Sequence, residues 1–102
     1  MYMNHGESLA LDKPLRKLLR YSRLSVLAML NATKEDGLTY NSLKDSSGLS
    51  EGTLGPTLKW LNDNGYIEIK EAVEKVYTIK QKGEDDFKAF YAWLGKAGGE
   101  NK

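Results

Sequence analysis

No cysteine occurs among the 102 residues of this sequence. That absence excludes a disulfide framework, a thiolate metal site and a thiol redox switch. Histidine is nearly as scarce. The single His5 lies close to the N-terminus, so imidazole catalysis, a metal and any other cofactor are not expected. Long apolar runs are missing too: the longest stretch without a charged residue, Leu24–Thr33, is far too short to cross a bilayer, and no membrane partner is expected. Strong charge of one sign is also lacking, since 15 Lys and Arg oppose 14 Asp and Glu for a net +1. A polyanionic partner must therefore be argued from where the charges sit. The N-terminus, MYMNHGESLALD, has no basic flank leading into an apolar core, so a cytoplasmic protein is expected. On that reading the sequon Asn31-Ala32-Thr33 is coincidental.

What is present belongs to one folded domain. The hydrophobic fraction is 40%, and the length suits a single core. Residues 12–96 are read as that domain, between flexible ends at 1–11 and 97–102. From Asp12, a plausible N-cap, Leu15, Leu18, Leu19 and Ser22 lie on one helical side. Lys13, Arg16, Lys17, Arg20 and Arg23 lie mostly on the other, and Pro14 fits a first turn. Leu24, Leu27, Ala28 and Leu30 carry a wider apolar face toward the core. Whether residues 12–30 form one bent helix or two is left open by this pattern.

The region Thr39–Ile69 is the most informative. Thr39 suits the cap of a short helix over 40–47 with Leu43 inward. Ser47-Gly48-Leu49 reads as a tight turn, with Gly48 left-handed and Leu49 tucked into the core. Ser50 suits the cap of a second helix whose Leu54, Leu58 and Leu61 form its inner stripe and which ends at Asn64-Gly65. Gly55-Pro56 falls inside it, so either the helix begins later or its first turn is loosened; the second is the expectation. Trp60 is off the leucine stripe and is read as packing under the following hairpin rather than lying on a ligand.

After Gly65 the period changes to 2. Ile67 and Ile69 share one face and Tyr66, Glu68 and Lys70 the other. Glu71–Lys75 connects this strand to Val76–Ile79, making a hairpin. A last helix runs from about Gln81 to Lys96, with the stripe Phe87, Phe90, Tyr91 and Leu94 and the acidic start Glu84, Asp85, Asp86.

Helix, helix, four-residue turn, helix, hairpin, helix is the order of a winged helix-turn-helix, an α+β and mainly helical fold. Residues 21–95 resemble the small MarR-like winged-helix transcriptional regulators. The resemblance rests on Arg23-Leu24, Val26-Leu27, Leu30, Leu43-Lys44 and Gly48-Leu49-Ser50-Glu51-Gly52-Thr53-Leu54. Leu58 with Leu61, Asn64-Gly65-Tyr66-Ile67-Glu68 and Tyr77–Gly83 complete it. The segment Glu51–Pro56 is also similar to the PadR regulators. The resemblance implies a homodimer that binds double-stranded DNA, often as a repressor, paired through its terminal helices, with a small-molecule effector allowed but unidentified. The chain departs from that pattern at Lys80, where many relatives cap the last helix with Thr or Ser, and at a wing tip where Glu71 and Glu74 oppose Lys75.

These patterns nominate Ser50, Glu51, Gly52, Thr53, Gly55, Thr57 and Lys59 on the second helix, with Lys70 and Lys75 on the wing, as DNA-contacting residues. Leu15, Leu18, Leu19, Phe87, Phe90, Tyr91 and Leu94 are nominated for the dimer interface. The cationic cluster of residues 12–23 could grip phosphate, pair with the acidic start of the last helix, or simply be solvated. No constellation of nucleophile, base and phosphate loop points to an enzyme. The alternatives to a sequence-specific regulator are a winged-helix protein-docking module and an architectural DNA-binding protein.

Overall fold

A computed structural model of the chain describes residues 13–98. Asp12, read above as a cap, the flank 1–11 and residues 99–102 of the tail lie outside the described residues. The N-terminal helical region divides in two: α1 (Lys13–Arg16) and α2 (Tyr21–Thr33). Between them the N–H groups of Leu18 and Leu19 bond to the carbonyls of Leu15 and Arg16, at 3.0 and 3.1 Å, and Arg20 is extended. These tight three-residue closures turn the chain and drop Leu18 into the core, where it is fully buried.

The remaining elements are β1 (Leu38–Thr39), α3 (Tyr40–Ser47), α4 (Glu51–Asp63), β2 (Ile67–Lys70), β3 (Val76–Ile79) and α5 (Gln81–Gly98). Helix α2 packs against α4, α5 and β3 and is the centre of the fold. Its Val26, Leu27 and Leu30 are fully buried with Leu18, Leu43, Leu54 and Leu61. Each such side chain contributes about 1.5–3 kcal/mol by leaving water. No helix among the described residues is long and apolar enough to cross a membrane.

The hairpin is part of a three-stranded antiparallel sheet in the order β1-β3-β2. β1 pairs Leu38 with Tyr77 and Thr39 with Val76, while β2 pairs Ile67 with Ile79 and Lys70 with Val76. Being central, β3 buries Tyr77, Thr78 and Ile79 in succession, so the period of 2 fails there.

Helix α4 buries Leu54, Thr57, Leu58 and Leu61. Thr57, expected on the outer face, therefore points inward, because it stands one turn from both Leu54 and Leu61. The helix begins at Glu51 and continues through Pro56. A proline normally pushes the preceding residue out of the helical region by a clash involving that residue's Cβ. Gly55 has none, so that particular clash is absent where α4 passes through its proline.

The C-terminus of α4 closes as a Schellman motif. Gly65 is left-handed (φ 81°); its N–H bonds to the Asn62 carbonyl at 3.1 Å and that of Tyr66 to the Leu61 carbonyl at 2.9 Å. The hydrophobic contact that accompanies such a motif is Tyr66 stacked on Trp60, with centroids 5.6 Å apart. Tyr66 is accordingly buried beside Ile67, not opposed to it, because it belongs to the helix cap rather than to β2.

Candidate nucleic-acid interface

The interface is built on the connection from α3 to α4. Thr39 caps α3, its Oγ1 accepting the Ser42 N–H at 3.2 Å. Gly48 closes the helix with φ 72°, and its N–H bonds to the Lys44 carbonyl at 3.1 Å. The Ser47 hydroxyl accepts the Leu49 N–H at 3.1 Å, which sets half-buried Leu49 against the core. Ser50 occupies the N-cap position of α4 with extended backbone, and its carbonyl receives the N–H groups of Thr53 and Leu54 at 3.0 and 2.8 Å. Its hydroxyl does not cap. It donates to Thr53 Oγ1 at 3.3 Å, so no side chain covers the first-turn N–H groups.

The outer face of α4 is smooth at its start. Glu51, Gly52, Thr53 and Pro56 are exposed and Gly55 is half-exposed. A Cβ at Gly55 would meet nothing within 4 Å, and one at Gly52 only the Ser50 hydroxyl at 3.9 Å. Neither glycine makes room for the chain itself.

Both charged ends of this face are paired. Lys44 of α3 donates to Glu51 at 2.8 Å, across the turn, and Lys59 donates to Asp63 at 2.9 Å, one turn along. The Lys44 hydrogen bond and charge hold the Glu51 carboxyl below the usual carboxylate range and raise Lys44 in return. Lys59 is raised by its hydrogen bond to Asp63. On the wing Lys70 and Lys75 are exposed, but so are Glu71 and Glu74, with fully exposed Val73 at the tip.

At the C-terminal end of α4 a cation–aromatic ladder ties three helices together. The Arg23 guanidinium of α2 lies 3.6 Å from the Trp60 ring centre, and the Lys82 ammonium of α5 lies 4.5 Å from that of Tyr66. Arg23 also donates to the Lys17 carbonyl, Lys82 to the Asn64 carbonyl at 2.8 Å, and Asn64 to the Trp60 carbonyl at 2.8 Å. Partial burial, then the neighbouring Arg20 charge, lowers the Arg23 pKa. Burial, then Asp86, raises that of Tyr66. Trp60 thus packs inside the chain, at the joint between α4 and the wing.

Of the apolar stripe residues, Leu18 and Phe90 are buried in this chain's own core, and Leu15 and Phe87 are half-buried against it. Leu19, Tyr91 and Leu94 remain exposed, as does Tyr21. Glu84 pairs with Lys34 at 3.3 Å, away from the cationic segment. Arg16, Lys17 and Arg20 are exposed. A groove of about 390 Å³ between α2 and α5 is lined by Ala28, Asn31, Lys34, Glu84, Phe87 and Tyr91. Among the described residues no group of three or more His, Cys, Asp and Glu could hold a metal ion.

Sequence reasoning missed Lys44 and Lys82. Lys44 stands seven residues before Glu51, a spacing that brings side chains together only across this turn, and Lys82 reaches Tyr66 only through the tertiary fold.

A family model for a winged helix DNA-binding domain matches residues 22–97. No curated protein sequence matches the chain significantly. Among solved structures, the chain is similar to the MepR–DNA complex of S. aureus, with a TM-score of 0.69 and 20% identity over 79% of this chain and 72% of that one. A MarR-family transcriptional regulator from Silicibacter pomeroyi gives 0.68 and 20% over 93% and 68%. AbfR of Staphylococcus epidermidis gives 0.69 and 25% over 82% and 59%. The chain spans only 59% and 55% of the length of two further regulators of this fold. A left-handed turn between two packed helices, a following wing and a family match over residues 22–97 agree: the chain belongs to the winged-helix DNA-binding domain family.

Proposed function

We propose that this protein regulates transcription, by repression, as a homodimer on operator DNA. The observation that carries the reading is α4 itself. Its inner side is locked into the core by Leu54, Thr57, Leu58 and Leu61, while its first turn is smooth, exposed and without a side-chain cap. A helix of this width fits the major groove, with uncapped N–H groups directed at phosphate. Two such helices, one per subunit, would enter successive grooves about 34 Å apart and obstruct polymerase. Ser50, Glu51, Gly52, Thr53, Gly55 and Lys59 would face the groove, with Lys70 and Lys75 on flanking backbone; Thr57 drops out because its side chain is buried.

Titration against duplex at several salt concentrations tests this. Lys44 and Lys59 already hold carboxylates, so the phosphate contacts fall mainly to Lys70 and Lys75 of two wings. On duplex without a recognised site, the expected slope of log affinity against log salt is shallow, about −4 per dimer at about 0.9 per phosphate. Absence of binding to any duplex at low salt would sink the reading in favour of a protein-docking module. Binding that ignores sequence would leave only the architectural role.

For the dimer, Tyr91 and Leu94 of α5 are 66% and 46% exposed, and Leu19 is 50% exposed. Leaving such side chains in water is costly, and a symmetric partner removes them from it. The double variant Tyr91→Asp, Leu94→Asp is expected to sediment as a folded monomer. An unchanged mass would move the interface elsewhere.

A further inference from the structure

In the first two turns of α4, one side chain carries charge. Glu51 stands among Gly52, Thr53, Gly55 and Pro56, its side chain 70% exposed and held only at one oxygen by Lys44. Lys44 keeps it ionised, so it offers acceptors and no donor. Residues at this end of the second helix of a helix-turn-helix meet base edges. A carboxylate entering the major groove passes two walls of phosphate that repel it. On the groove floor, guanine O6 and N7 and thymine O4 are further acceptors. Adenine offers its N6 amine, but beside the acceptor N7, against which the second carboxylate oxygen would lie. Cytosine presents its N4 amine alone. It is the base edge on which an ionised carboxylate is satisfied.

Lys44 is the second half of this device. While Glu51 holds it, its ammonium is withheld from phosphate. When Glu51 turns to a base amine, Lys44, on a flexible and partly exposed stem, is released to the adjacent backbone. We propose that Glu51 is a specificity-determining residue that reads a cytosine N4 amine in each half-site, and that the Lys44–Glu51 pair couples backbone gripping to that recognition. On any other base the pair must either stay closed, losing a phosphate contact, or open and leave the carboxylate among acceptors. This rests on the reading above, in which α4 enters the major groove.

The test is selection from a random duplex pool with the full chain and with Glu51→Gln, alongside direct titration of the selected site. The native chain should select a cytosine in each half-site. Replacing that cytosine by thymine should weaken the native chain by about tenfold, the scale of one mismatched base pair. Glu51→Gln should lose that preference or move it to adenine, whose N6 and N7 suit an amide. Lys44→Gln should weaken the cytosine-containing site and lower its salt slope by about one unit per subunit, while leaving the slope on the thymine-substituted site unchanged; equal weakening of both sites would overturn the coupling. A Glu51→Gln motif identical to the native one overturns the proposal while leaving the DNA-binding reading intact, as does a uniform gain on all sequences. If the native chain selects no motif, the underlying reading falls and this one with it. Thermal midpoints of both variants separate these outcomes from a loss of folding.

Discussion

Replacing Gly83 by alanine is expected to destabilise the fold by about 3–4 kcal/mol, a large share of the 5–15 kcal/mol typical of a domain. Gly83 is buried in the first turn of α5, where the helix lies directly on the end of the wing. A Cβ there would overlap the Tyr66 carbonyl oxygen and stand 2.7 Å from Ile79 Cγ1. That carbonyl cannot retreat easily, because it accepts the Lys80 N–H at 2.9 Å and so ties β2 to the start of α5. Gly37→Ala should cost a similar amount for two reasons. Its φ of 69° disfavours any L side chain by about 1–2 kcal/mol, and its Cβ would lie 2.5 Å from the Tyr77 carbonyl. Urea unfolding measures both against Gly95→Ala, a control in the same α5 whose Cβ meets nothing within 4 Å. The control should gain up to about 1 kcal/mol from helix propensity. Native-like stability of Gly83→Ala would mean that α5 does not seat on the wing as described.

Gly52→Phe should do the reverse, abolishing DNA binding while sparing the fold. The added side chain finds open space, with only the Ser50 hydroxyl at 3.9 Å from its Cβ, and a helix gains by losing a glycine. The thermal midpoint should therefore match or exceed that of the native chain. On DNA the ring would stand between the first turn of α4 and the groove, preventing close approach of the backbone. Operator affinity should fall by about 100-fold or more, equivalent to at least about 2.7 kcal/mol. Gly52→Ala should fall between the two. If Gly52→Phe bound as tightly as the native chain, the first turn of α4 would not be the surface that meets the groove.

The order of elements was legible because each rests on local chemistry. The Thr39 cap, the left-handed Gly48 and the Leu54, Leu58, Leu61 stripe all act within a few residues, and each appears in the fold. What escaped was tertiary. β1 has two residues, too few to show alternation, and its Thr39 serves strand and helix cap at once. Tyr66 reads as an outward strand residue until the Schellman closure gives it to Trp60. Thr57 reads as polar surface until the full stripe includes it. Ser50 has the residue type of a cap, yet its hydroxyl prefers Thr53 Oγ1. Leu18 and Phe90 look like partner-facing residues because nothing local reveals how deeply the turn after α1, and α5, fold onto their own core.

The two ends of α4 are held very differently. The Schellman closure, the Trp60–Tyr66 stack, Arg23 and Lys82 clamp the C-terminal end to α2, α5 and the wing. The N-terminal end has an uncapped first turn and one surface ion pair to α3, yet Leu54 in that same turn is fully buried. The axis of α4 is therefore fixed at both ends, and only the side chains of its outer face are free to change partners. In a dimer, the spacing between two such helices would be governed by the buried side and the choice of base by the exposed one, so two properties of one reading head would belong to opposite faces of one helix.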